Sequence, residues 1–328
     1  MSLKILWRLL CSICLSCMIV GCSSSSEMDQ WMQPNGKIKV LSTTAMIDNI
    51  VGQIGEGRID HLALVIGEID PHSYELVKGD DEKLSLAQVI FYNGLGLEHG
   101  ASLRYKLMTH PRAIAVGAVV QKRYPDLILH TGHEIDPHIW MDISMWSHII
   151  DPIVEQLTAV DPEGHDLFVK NAEALAQKMA EEHRAIQAAF QEIPQEKRYL
   201  VTSHDAFNYF TRAYLAAPDE TTPSQWQKRC EAPEGLAPDG QLSISDIQAV
   251  IDHLIHYHIT TVFPESNVSR DSLTKIVHAC RQKGLEVVIS SEILYGDAMG
   301  GEGSDADTYL LMIQHDANVL LQTWKNNG

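Results

Sequence analysis

Residues 162–191 carry the pattern that most limits how this chain can fold. Phe168, Ala172, Leu175, Met179, Ile186 and Phe190 recur at steps of three and four, with one gap filled by polar residues. That spacing reads as one amphipathic helix. About 30 residues at about 1.5 Å each give a rod of about 45 Å, the length of a whole domain. A rod of that length, midway along the chain, is suited to act as a spine between two lobes; periodicity alone also fits an ordinary surface helix. On either side of it, strand and helix patterns alternate. Strand candidates at 37–41 (KIKVL), 61–66 (HLALVI), 89–92 (VIFY) and 113–116 precede it, with helical stretches at 45–54 and around 84–86. A further helix at 144–159 leads into the rod. Strand candidates at 198–202 (RYLVT), 260–263 and 286–290 follow it, with helices at 206–214, 245–256, 272–283 and 305–324. A Pro- and Gly-bearing insert at 218–240 reads as a loop. This alternation implies parallel sheets in an α/β layer.

The N-terminus reads as an export signal. Lys4 and Arg8 give a positive start, and the apolar run 9–20 is too short to span a bilayer comfortably. Residues 1–21 are thus expected to be removed. Ile19-Val20-Gly21-Cys22 resembles a bacterial lipoprotein cleavage box, which makes Cys22 the candidate lipid-bearing residue, with plain cleavage to a free periplasmic protein as the alternative. Residues 22–36, which include Ser23 to Ser26, read as a tether. The formal net charge of −18 argues against binding a nucleic-acid backbone, which requires clustered Lys and Arg. Once Cys11, Cys14 and Cys17 leave with the signal, only Cys230 and Cys280 remain in the body. In an oxidising compartment they form a natural disulfide pair, with two buried thiols as the alternative.

The pentapeptide EIDPH occurs twice, at 68–72 and at 134–138. Proline after Asp70 and Asp136 fixes φ and gives a stiff lead-in to His72 and His138. His204 follows the strand candidate 198–202, and Asp297 follows 286–290 through a short loop. In open α/β sheets ligands bind beyond the carboxyl ends of strands, which is where these residues fall. Three imidazoles and a carboxylate make an N₃O set suited to Zn²⁺, Mn²⁺ or Fe²⁺. Asp70, Asp136 and Asp205 are candidates to orient the imidazoles from behind. Each histidine taken singly is more often a surface or capping residue.

The segments DPHSYE (70–75), DPHIWMD (136–142), TSHDAFNYF (202–210), TVFPE (261–265) and LYGDAMG (294–300) together resemble the zinc/manganese/iron-type substrate-binding proteins of bacterial ABC importers. The resemblance covers nearly the whole mature sequence. It implies an α/β fold of two lobes, each a mainly parallel sheet flanked by helices, joined by one long backbone helix. The expected boundaries are an N-terminal lobe at 37–143, a linking helical segment at 144–192 and a C-terminal lobe at 193–328. It implies His72, His138, His204 and Asp297 as metal ligands, one divalent ion as cargo, and a Cys230–Cys280 disulfide. Glu265 is a further candidate to support a ligand. The implied partner is a membrane permease with its ATPase; a monomer is expected, touching the membrane only through a lipid anchor.

Two departures from the family pattern bear on the cargo. The long His- and acid-rich loop of dedicated zinc collectors is reduced here to His130, His133 and Glu134. The glutamate common at the third ligand position of manganese-tuned members is replaced by His204. Mn²⁺, Fe²⁺ and Zn²⁺ therefore all remain candidates. His253, His256 and His258 read as solvated polar positions. A zinc-dependent hydrolase is the first rival, but it needs an open metal position and a general base, and HExxH is absent. The second is a surface adhesin with a structural metal.

Overall fold

The computed structural model describes residues 30–238 and 242–326. The export signal, Cys22 and residues 22–29 of the tether lie outside the described residues. Residues 30–35 form a short lead-in that begins with a helical turn, and the chain from Gly36 onward makes a separate compact unit.

That unit opens with β1 (Ile38–Thr44), whose residues beyond Ile38 are all buried. A strand covered on both faces belongs at the centre of a parallel sheet. The sheet order is β2-β1-β3-β4, all parallel, with β2 at Ile59–Val65, β3 at Val89–Tyr92 and β4 at Ala113–Ala115. Parallel neighbours need crossovers. Helix α1 (Ala45–Gly55) supplies the first, burying Met46, Ile47, Ile50, Val51 and Ile54. Helices α2 (Asp80–Leu86), α3 (Ala101–Thr109) and α4 (Val116–Arg123) complete this half. A two-stranded antiparallel ribbon, β5 (His130–Thr131) and β6 (Glu134–Ile135), follows.

The expected helix at 144–159 is broken in three. A turn at Ile143–Trp146, capped by the Asp142 carboxylate, passes through a 3-10 turn into α5 (Ile150–Val160). The rod is α6 (His165–Gln191), 27 residues and therefore about 40 Å long. Its buried side chains are Phe168, Ala172, Leu175, Met179, Ile186 and Phe190, the stripe read from the sequence. The polar gap in that stripe is filled by His183, whose Nδ1 lies 3.0 Å from the Tyr214 hydroxyl. Near its start, Asn171 Nδ2 donates to Ile54 O of α1. Near its end, Gln187 Nε2 donates to Ala213 O, and Phe190 meets Phe210 and Trp324 edge-on. One helix thus packs on both halves of the unit.

The C-terminal strands are two-residue ladders: β7 (Leu200–Val201) pairs in parallel with β8 (Cys230–Glu231), and β9 (Thr261–Val262) with β10 (Val288–Ile289). A hydrogen bond from Phe263 N to Val201 O joins the two pairs. β7 ends earlier than the sequence suggests because a side chain takes over its ladder. Just past β7, the N–H groups of Ser203 and His204 donate to the Glu265 carboxylate. Helices α7 (Ile244–His256), α8 (Asp271–Gln282) and α9 (Tyr309–Asn326) flank this half. The helix expected at 206–214 is instead Asn208–Phe210 running into a π-helical turn, Thr211–Leu215.

The expected Cys230–Cys280 disulfide is not formed; both thiols are free and buried. Cys230 packs in the large core with Phe207 and Phe210, whereas Cys280, on α8, packs in a separate cluster with Val250, Leu273 and Ile276. The insert at 218–240 needs no covalent pin. A capping box between Thr222 and Gln225 closes its helical turn, the Arg229 guanidinium pairs with Glu220, and Cys230 itself lies on a strand.

Candidate metal centre

Each candidate ligand sits on a loop after an extended segment: His72 after β2, His138 after the β5–β6 ribbon, His204 after β7 and Asp297 after β10. The fold brings all four together, with one ligand atom from each lying within 4.8 Å of the others. All are buried: His138 and His204 are 0% exposed, His72 1% and Asp297 3%. Asp297 Oδ2 is 3.0 Å from His204 Nε2 and 3.5 Å from His72 Nε2, while its Oδ1 is 3.4 Å from His138 Nε2. His138 Nε2 and His72 Nε2 are themselves 3.3 Å apart. Two ring nitrogens that close, beside a buried carboxylate, call for a proton or a cation among them. Asp297 Oδ1 receives no hydrogen bond from the described residues, which suits an oxygen with metal-ligand work to do.

The outward nitrogens are held by carboxylates. Asp136 Oδ1 is 2.7 Å from His138 Nδ1, and Glu265 Oε2 is 2.7 Å from His204 Nδ1. An ionised carboxylate only accepts, so a proton on each Nδ1 faces its carboxylate and Nε2 is the nitrogen turned toward an ion. Asp136 in turn receives Asn208 Nδ2 on Oδ2, and Asn208 Nδ2 also reaches Asp205 Oδ1. Asp205 therefore meets this network through Asn208 and not through an imidazole. Asp70 caps the backbone, accepting from His72 N at 2.8 Å and Ser73 N at 3.3 Å.

Charge and burial oppose each other here. Burial alone would push His204 down, but Asp297 and Glu265 outweigh it and raise its pKa well above the ordinary 6.5. Burial would raise Asp297, yet His204 and His72 hold it well below the usual carboxylate value. His72 is lowered, chiefly by burial. Burial, with Asp136 nearby, pushes Asp205 up to about 7. The donor set, three imidazole nitrogens and a carboxylate, all buried, can bind a divalent transition metal and remove it from water.

Residues that the sequence reading did not single out also build the site. Gly296 is one: a Cβ there would stand 2.2 Å from Glu265 Oε2. Its carbonyl accepts from Trp140 Nε1 at 2.7 Å, and Trp140 O accepts from the Tyr309 hydroxyl. Tyr295 N donates to the buried Asp316 carboxylate, so the loop carrying Asp297 is held from two sides. Asn208 lies in the TSHDAFNYF segment that carries the family resemblance, its one legible cue. Asn267, which donates to Asp297, left none. His130 lines a cleft of about 570 Å³ together with Thr131, Asp205, Asn208 and Glu234, outside the four-ligand group, as is His133. His256 and His258 are exposed, and His253 rests half-buried near Tyr199 and Tyr257.

Residues 40–323 match the family model described as zinc-uptake complex component A, periplasmic (ZnuA). The chain is similar to the metal-binding protein YtgA of Chlamydia trachomatis, 37% identical over 312 residues that cover 94% of this chain and 93% of that protein. It is also similar to the manganese-binding lipoprotein MntA of Bacillus subtilis, at 31% over 312 residues, 94% of this chain and 95% of that protein. Among solved structures, Fe(III)-bound YtgA from Chlamydia trachomatis matches with a TM-score of 0.82 at 35% identity, over 88% of this chain and 98% of that one. The periplasmic zinc-binding protein TroA from Treponema pallidum matches with a TM-score of 0.79 at 28% identity, over 88% and 99%.

Proposed function

The chain belongs to the periplasmic zinc-uptake component A family, and from that premise we propose that His72, His138, His204 and Asp297 hold its cargo ion. The protein is the solute-binding component of an ABC metal import system, capturing Mn, Fe or Zn ions for a membrane permease. The observation that supports the ligand assignment best is the convergence of four buried donor atoms from four separate loops within 4.8 Å. Two of the donors come from the half before α6 and two from the half after it. An ion bound by all four is therefore stripped of water as the halves meet, and freed when contact with the permease disturbs them. This is a carrier's cycle, in which no covalent bond is made or broken.

Metal titration of the purified mature chain tests the assignment. His72→Ala, His138→Ala, His204→Ala and Asp297→Ala should each weaken binding by at least about tenfold, the scale on which even supporting residues act. Unchanged affinity in two or more of them would show that the ion sits elsewhere. The reading extends to the N-terminus: a protein exported on residues 1–21, anchored through lipid on Cys22, and working as a monomer. Radiolabelled palmitate incorporation that persists in Cys22→Ala would refute the anchor.

A further inference from the structure

Asn267 lies in the loop after β9, near the metal centre but outside the ligand set. Its Nδ2 stands 3.3 Å from Asp297 Oδ2. A carboxylate can only accept, so the amide must present its nitrogen there; the reverse orientation would set two oxygens against each other. The amide oxygen of Asn267 is then left buried with no partner among the described residues. Burying an amide oxygen unpaired is unfavourable, so packing alone does not account for an asparagine at this position. The contact with Asp297 does.

That contact has a geometric consequence. The two oxygens of Asp297 serve different histidines: Oδ2 is the one near His72 and His204, and Oδ1 is the one near His138. The carboxylate thus presents its edge, both oxygens together, to the three nitrogens. Presented this way it can bind an ion through two oxygens and raise the donor set from N₃O to N₃O₂. Rotated, it would offer one oxygen only. Zinc is satisfied by four tetrahedral donors, whereas manganese favours more donors and more oxygen.

We propose that Asn267 is a specificity-determining positioning residue that holds Asp297 edge-on and so favours Mn²⁺ over what a four-donor site would allow. The inference rests on the carrier reading given above. Its test is competition titration of Mn²⁺ and of Zn²⁺ against the wild-type chain, Asn267→Ala and Asn267→Leu. The leucine shares asparagine's branching at Cγ and keeps the space filled if alanine impairs folding. Both variants should lose about tenfold in Mn²⁺ affinity, as is usual when a ligand's supporting hydrogen bond is removed, while Zn²⁺ affinity stays within about threefold. X-ray absorption on the Mn²⁺ form should show fewer oxygen donors in the variants. A general loosening of the loop would lower both affinities together, and that result, or no change in either, overturns the proposal. A wild-type chain that binds iron but neither Mn²⁺ nor Zn²⁺ likewise overturns the proposal alone, and one that binds none of the three metals would instead defeat the carrier reading, and this inference with it.

Discussion

Glu265 and His204 form one unit: Oε2 of the carboxylate is 2.7 Å from the imidazole Nδ1, and Oε1 receives the backbone N–H groups of Ser203 and of His204 itself, each at 2.9 Å. The same side chain thus fixes the ring and the strand end that carries it. Glu265→Ala should cost about 10- to 100-fold in metal affinity, the usual effect of removing the partner of a ligating histidine. It should also lower the melting temperature of the metal-free protein, since two buried N–H groups lose their acceptor. Competition titration and thermal unfolding measure the two effects. Glu265→Gln offers a sharper comparison, because its amide can keep the backbone contacts yet places a donor against Nδ1. A glutamine variant with wild-type affinity would show that the tautomer is not set here.

The two EIDPH copies are identical in sequence and unequal in use. Asp136 is fully buried and touches the imidazole of His138, while Asp70 is half-buried and holds the backbone of His72 and Ser73. Asp136→Asn should therefore weaken metal binding by about tenfold or more, and Asp70→Asn by no more than about threefold. Equal losses in the two variants would mean that the shared Asp-Pro-His backbone turn, and not the imidazole contact, is what matters.

This inequality marks where sequence stops being legible. The order of elements and the buried stripe of α6 follow from local periodicity, and His72, His138, His204 and Asp297 are singled out by the family resemblance of the short motifs that carry them. Such signals are carried by neighbours in the chain. Which acid faces which ring is decided by packing between distant segments, so Asp205 lies one residue removed from any imidazole and Glu265 directly against one. The cysteines make the same point. Even pairing arithmetic cannot see that Cys230 and Cys280 are claimed by different cores. The early end of β7 was hidden for a related reason: the N–H groups just beyond it are diverted to a side chain from another loop.

Gly296 is a position where only glycine fits. A Cβ would stand 2.2 Å from Glu265 Oε2 and 3.1 Å from His204 Cε1, both held in place by the contacts above. Gly296→Ala must move the carboxylate off Nδ1 or shift the loop that carries Asp297. Overpacking of this kind costs about 1–3 kcal/mol. Thermal unfolding should show that loss in the metal-free chain, and titration should show weaker binding. A variant with unchanged stability and affinity would mean that the loop has room the geometry does not show.

Proton release is the most direct sign of how the ion enters. In the metal-free protein Asp297 and Glu265 hold His204 above its ordinary pKa of 6.5, against the opposing pull of burial. Because that pKa is raised, the proton on His204 stabilises the metal-free fold fully below pH 6.5, and this contribution is lost as pH rises through the folded value. Asp297, depressed by His204 and His72 against the effect of its burial, contributes in the opposite sense: its stabilisation is present above 3.8 and lost as pH falls through its folded value. At neutral pH the two are a charged pair, and an ion must displace the His204 proton to reach Nε2. His72, lowered chiefly by burial, is already neutral and has none to give. Binding at pH 7 should therefore release about one proton, and affinity should climb with pH until the folded pKa of His204 is passed. Calorimetry in buffers of different ionisation enthalpy counts the protons. In His204→Gln the release should vanish along with most of the affinity. Binding with no proton release in the wild-type chain would show that His204 is neutral before the ion arrives.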